Sequence, residues 1–152
     1  MWQNLKKKLK AMIAANTNLQ EVYDYEVEEF GGDPCATLVP SSNESDYRTT
    51  SSNRRIYAFN LTLWVKRGGQ YRNDSQAENV LTDLVDQVLD YFDKYYTLGG
   101  ASAGTLTLPT GYTIIMVEAT PSQWVYSNRE TLYRGAEIKI RVHVDVNVTL
   151  IS

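Results

Sequence analysis

Glu137-Ile138-Lys139-Ile140-Arg141-Val142-His143-Val144-Asp145-Val146-Asn147-Val148-Thr149-Leu150 is the stretch that decides the fold. From Ile138 onward every even position is aliphatic and every odd position is polar or charged. A period of two puts one dry face and one wet face on an extended chain. Wound at about 3.6 residues per turn, the same residues would be smeared around the whole cylinder, so helix is excluded. At about 3.3 Å per residue the unbroken stretch reaches on the order of 45 Å. A compact domain of this length has a radius of gyration of about 15 Å. The strand therefore crosses the entire body, bends at a bulge, or projects beyond it.

Such a strand needs a partner, and residues Arg54 to Lys66 supply one. Tyr57, Phe59, Leu61, Leu63 and Val65 mark one face; Ile56, Ala58, Asn60, Thr62 and Trp64 mark the other. This second face is not fully polar, so it is expected to meet something other than water near Trp64. The main helix follows, capped by Asp74 or Ser75 and running to about Tyr95. Ala77, Val80, Leu81, Leu84, Val85, Val88, Leu89 and Phe92 make a continuous apolar stripe along it. Burying each large member stabilises by roughly 1.5–3 kcal/mol, enough to fix the helix across a sheet. Its outer face carries Glu78, Asp83, Asp86, Asp90 and Asp93 against Lys94 alone. Like charges at three- and four-residue steps cost a few tenths of a kcal/mol each, so the helix gains nothing from them by itself. The row is a solvated face, the complement of a basic surface on another subunit, or the lining of an acidic lumen.

An amphipathic helix opens the chain from Trp2 to Ala15, with Trp2, Leu5, Leu9, Met12 and Ile13 on one side and Lys6, Lys7, Lys8 and Lys10 on the others. The reading favoured here is a terminal helix packed on a sheet with its lysines in water. Short strands are expected over Glu21 to Glu29, Cys35 to Pro40 (ended by the proline), Gly111 to Thr120 and Pro121 to Ser127. Two stretches break the composition, at about 41–53 and 97–110. The first, Ser41 to Asn53, holds one aromatic among serine, threonine and asparagine, too little apolar surface to order itself. Both are expected as flexible loops within a single α+β domain over residues 1–152. The expected fold is a mostly antiparallel sheet with two long strands, packed by the N-terminal helix and the long amphipathic helix on one face.

Composition narrows the function. The hydrophobic share of 43% and charged share of 22% suit a soluble globular chain. A net charge of −3 argues against gripping nucleic acid as the main task. The single cysteine, Cys35, cannot form an internal disulfide, and the opening residues lack a signal-peptide core. Sequons at Asn43, Asn60, Asn73 and Asn147 are read as chance, two of them falling inside expected strands. Catalysis finds little support. The single histidine, His143, sits mid-strand between Arg141 and Asp145; one His and one Cys cannot make a zinc site, and no nucleophile elbow is present. Gly99-Gly100 lacks the Gly-Lys-Ser/Thr that would make it a phosphate cradle. The chain is expected not to be an enzyme and to use no cofactor or metal.

The order of these elements resembles the tail terminator (tail completion) proteins of long, non-contractile-tailed bacteriophages. The matching features are the opening helix and short strand, the serine- and threonine-rich stretch Ser41–Asn53, and the long strand containing Arg55-Ile56-Tyr57-Ala58-Phe59-Asn60-Leu61-Thr62-Leu63-Trp64-Val65. The amphipathic helix Ala77–Phe92 and the closing strand of alternating valines complete it. The likeness is one of pattern over nearly the whole chain, with no short diagnostic motif. It implies a hexameric ring in the virion, at the tail–head junction, that caps the tail tube, stops its elongation and presents a surface to the head connector. The partners it implies are further copies of the chain, the tail-tube protein and the connector or neck protein. DNA passes through without specific binding, and no membrane is involved. Assembly is expected in the host cytoplasm. Glu44, Asp46, Tyr47 and Arg48 are then candidate contacts to tube or connector. Trp64, Asp83, Asp86, Asp90, Lys139, Arg141 and His143 are candidates for the subunit interface or the lumen. Two other readings stay open: a head-closure or neck connector protein, and a cytosolic small-ligand binding domain lined by Trp64, Trp124 and tyrosines.

Overall fold

The alternating stretch is a strand, and it starts earlier and stops sooner than its pattern suggests. In the computed structural model, which describes residues 1–27, 29–47, 49, 51–67, 74–99, 106–126 and 133–150, seven elements follow in order. They are α1 (Trp2–Asn16), β1 (Glu21–Tyr23), β2 (Cys35–Tyr47), β3 (Ser52–Lys66), α2 (Asp74–Lys94), β4 (Tyr112–Tyr126) and β5 (Tyr133–Asn147). The strands form one sheet in the order β1-β2-β3-β5-β4. Only the β1–β2 pair is parallel. This is the α+β architecture expected from the sequence.

β3 and β5 form the spine, paired over their whole lengths from Ser52↔Asn147 to Lys66↔Tyr133. Their matching periods bring Tyr57 against Val142, Phe59 against Ile140 and Leu61 against Ile138, all on one face and all buried. Both helices cover that face. α1 contributes Leu5, Leu9, Met12 and Ile13, and the Trp2 ring meets Tyr57 and Phe59 edge-on at 4.9 and 5.1 Å. From α2 come Ala77, Leu81, Leu84, Val88 and Phe92. The helices lie side by side, joined where the Asn18 amide donates to Gln87 Oε1 at 3.3 Å.

Several expected boundaries move, each for a physical reason. Residues 41–47, expected as flexible loop, belong to β2, which pairs with β3 as far as Tyr47↔Asn53. Backbone pairing with a strand already anchored by β5 orders this polar segment, and no apolar side chain is required for that. Pro40 does not end the strand, because β2 lies at the sheet edge there and the register shifts between Pro40 and Ser42. The two strands expected around Pro121 are one, β4, with irregularities at Ile114/Met116 and Pro121/Gln123. Each irregularity resets the alternation and hides the continuity. The first short strand shrinks to Glu21–Tyr23. The closing strand ends at Asn147, beyond which Thr149 turns back onto the Asn147 side chain through its amide and hydroxyl. Of the expected loop at 97–110, residues 100–105 lie outside the described residues. Of the rest, Leu98 is buried at φ 59°, and Thr107 accepts a hydrogen bond from Asn4 at 3.0 Å.

Candidate assembly surfaces

Three surfaces emerge: the polar face of the sheet, the outward face of the helices, and the polar part of the β2–β3 hairpin beyond Pro40. The polar face is built by the odd residues of β5 and their cross-strand neighbours. Arg141 lies opposite Glu118, with 4.0 Å between Nη1 and Oε2. His143 Nε2 is 3.4 Å from the same Glu118 oxygen. Lys139, between Asn60 and Thr120, is exposed. Arg54 pairs with Asp145 across the β3–β5 register. Arg55 turns to the other side, donating to the Tyr112 hydroxyl at 3.0 Å and lying over that ring at 5.6 Å. Hydrogen bonding to Tyr57 is the largest of the effects that raise the Arg55 pKa.

Trp64 is half-buried beneath a segment of its own chain. After β1 the backbone folds back, and the Phe30 ring packs on Trp64 at 5.7 Å and edge-on to Tyr133 at 5.0 Å. Gly135 faces Trp64 in register; a Cβ there would sit 2.7 Å from the indole Cζ3. The glycine thus lets the indole lie flat across the neighbouring strand. Asp33 secures the fold-back segment by accepting the Lys66 amide at 2.9 Å. The apolar character expected near Trp64 is therefore met, at least in part, by Phe30 of the same molecule.

Asp83, Asp86 and Asp90 stand exposed on the far side of α2 from its buried stripe, with Asp93 continuing the row. They face away from the sheet, whereas Lys139, Arg141 and His143 lie on its opposite surface. The two groups therefore occupy opposite sides of the molecule and cannot line one continuous patch. Glu44, Asp46 and Tyr47 lie on β2 opposite Ile56, Arg54 and Asn53, in the part of the hairpin beyond Pro40. Arg48 lies outside the described residues.

The remaining chemistry is quiet. Cys35 is fully buried at the start of β2, and burial, with Asp33 and Glu21 nearby, pushes its thiol up to about 12. A thiol held protonated at neutral pH is no nucleophile. Among the described residues no group of three His, Cys, Asp or Glu side chains is placed to hold a metal ion. Nor, among those residues, is any helix long and apolar enough to cross a membrane. Sequence reasoning passed over Glu118, which joins Arg141 and His143, and placed Glu78 with the outer acidic row, whereas it pairs with Arg134 of β5. Both pairings depend on register or on how α2 sits over β5, and no local pattern encodes either.

No protein-family model matches the chain, and no curated protein matches it. Among solved structures, a chain of the virion of a native gene transfer agent (GTA) particle has a similar fold, with a TM-score of 0.51 and 16% sequence identity over 95% of this chain and 90% of that one.

Proposed function

We propose that this chain is a structural subunit of a phage-like virion, and more narrowly the tail terminator: a ring that caps the tail tube, stops its elongation and offers the head-joining surface. The observation that carries the first step is the fold shared with a virion chain over nearly the full length of both. The narrower step rests on the order of elements in the sequence and on the shape of the surfaces. A ring needs a heterologous contact that closes on itself. Among the described residues the sheet has two outer edges without a further strand: β4, met only at Val117 by the Tyr96 carbonyl, and β2 beyond the three residues paired to β1. A long unpaired edge is a site for another chain, and a working protein uses it or protects it. A net charge of −3 suits a channel through which DNA passes without sticking. Enzymatic work has no support from the buried, protonated Cys35 or from His143, whose charged neighbours are Glu118 and Arg141.

The test is polymerisation of the cognate tail-tube protein with and without this chain. Tubes arrested at uniform length in its presence are the expected result. The side-chain variant E44S/D46S/Y47S/R48S, which keeps the β2 backbone, is expected to lose arrest while keeping the wild-type circular dichroism spectrum. Tubes of unaltered length with the wild-type chain contradict the terminator. If the chain instead binds only the head connector, it is a head-closure protein.

A further inference from the structure

The two lateral edges of the molecule are unlike, and they are complementary. At one edge α1 lies over β1 and β2. Lys10, on the flank of α1 turned outward, comes within 4.0 Å of Asp24 just after β1. Lys6 stands one turn before Lys10 on that flank, and Lys7 is exposed beside it. At the other edge α2 lies over β4. Val85 faces a cavity of about 260 Å³ shared with Pro121 and Trp124 of β4. Four-residue steps lead from Val85 through Leu89 to Asp93, so the acidic row begins next to the face turned toward β4. Lys6, Lys7, Asp86, Asp90 and Asp93 make no ion pair among the described residues.

The apolar features match as well. Trp124, 52% exposed and lining the cavity, and Tyr25, 59% exposed just past β1, are large apolar side chains left open to solvent on the two edges. One rung of the sheet runs Trp124–Ala136–Leu63–Ala36–Val22, and Tyr25 follows Val22 by three residues. A copy displaced sideways brings Tyr25 near the Trp124 cavity and the α1 lysines near the α2 aspartates together. Outside Val117, whose amide donates to the Tyr96 carbonyl, the outer edge of β4 runs antiparallel to the neighbour's β2, the direction in which an antiparallel sheet continues.

We infer that the partner of each edge is a second copy of this chain, docked head to tail, with the α1/β1 edge of one copy against the α2/β4 edge of the next. The inference rests on the ring reading and names the surfaces that close it. The charge rows set orientation and rate of encounter, while Trp124 and Tyr25 supply the desolvated centre.

Charge reversal tests it. Variant D86K/D93K carries two basic edges, and variant K6E/K7E two acidic ones. The readout is native mass spectrometry and negative-stain microscopy under conditions where wild type forms rings, with circular dichroism to confirm the fold. Each variant alone is expected to lose at least tenfold in ring yield. Mixed in equal amounts, they are expected to recover rings that contain both variants in alternation, which is possible only for even subunit numbers. Both variants assembling like wild type, or a mixture that stays unassembled, would overturn this interface and leave the ring itself standing. A wild-type chain that never self-associates, even with tail-tube protein present, would overturn the ring reading and this inference with it.

Discussion

The β2–β3 hairpin is two structures end to end. Its near half, from Cys35 to Pro40 against Phe59 to Trp64, alternates apolar and polar residues, and Ala36, Leu38, Leu61 and Leu63 are buried under the helices. Its far half pairs Ser42 to Tyr47 with Asn53 to Ala58, and the described side chains of its β2 strand are exposed. Both halves are strand, yet β2 itself contributes to the core only in the near half. The near half is ordered by what it buries; the far half is ordered because β3 is clamped on its other side by β5. A polar segment carried on a rigid neighbour stays available for a partner at little cost to the fold.

The largest effect should come from breaking the near half. Phe59, buried between Trp2 and Ile140, should cost about 3–5 kcal/mol when replaced by alanine, measured by urea denaturation. Gly135→Ala comes next, because the new methyl meets the Trp64 ring and the Leu63 carbonyl. Overpacking of this kind costs about 1–3 kcal/mol, and the Trp64 fluorescence should change with it. A smaller effect appears only at high pH. In the folded chain Cys35 stays protonated up to about 12, while the unfolded thiol ionises around its ordinary value of 9.0. Its contribution is therefore full below pH 9.0 and is lost as pH rises from there toward about 12. Stability should fall more steeply above pH 9.0 in wild type than in Cys35→Ala, measured as unfolding midpoints across that window. The far half should show the smallest effect on the fold. E44S/D46S/Y47S/R48S should change stability by less than about 0.5 kcal/mol, although it removes the proposed tube contact.

The same contrast explains what the sequence made legible. The buried faces of β3 and β5, the α2 stripe and the α1 helix follow from periods of 2 and 3.6, since side-chain burial forces those periods on the chain. Ser42 to Tyr47 has no such signal, because a strand formed only by backbone pairing leaves composition unconstrained. β4 reads as two strands for a related reason: its irregularities at Ile114/Met116 and Pro121/Gln123 break the alternation that marks one strand. The candidate surfaces were legible as residues and illegible as places. Asp86 and Arg141 could be named from the chain, but that they face opposite ways depends on which side of the sheet α2 covers. Glu118 needed the register between β4 and β5, which the irregularity at Ile114/Met116 shifts before Met116 pairs with His143. The covering of Trp64 by Phe30 needed the fold-back of the chain after β1, and no local pattern announces it.

The most direct measurement is symmetry analysis of electron micrographs of the purified chain mixed with its tail-tube protein. Closed rings of repeating subunits, six by the resemblance, should cap the tube ends, each copy touching the next through unlike edges. Tube ends that stay bare, beside a chain that remains monomeric, would contradict the account.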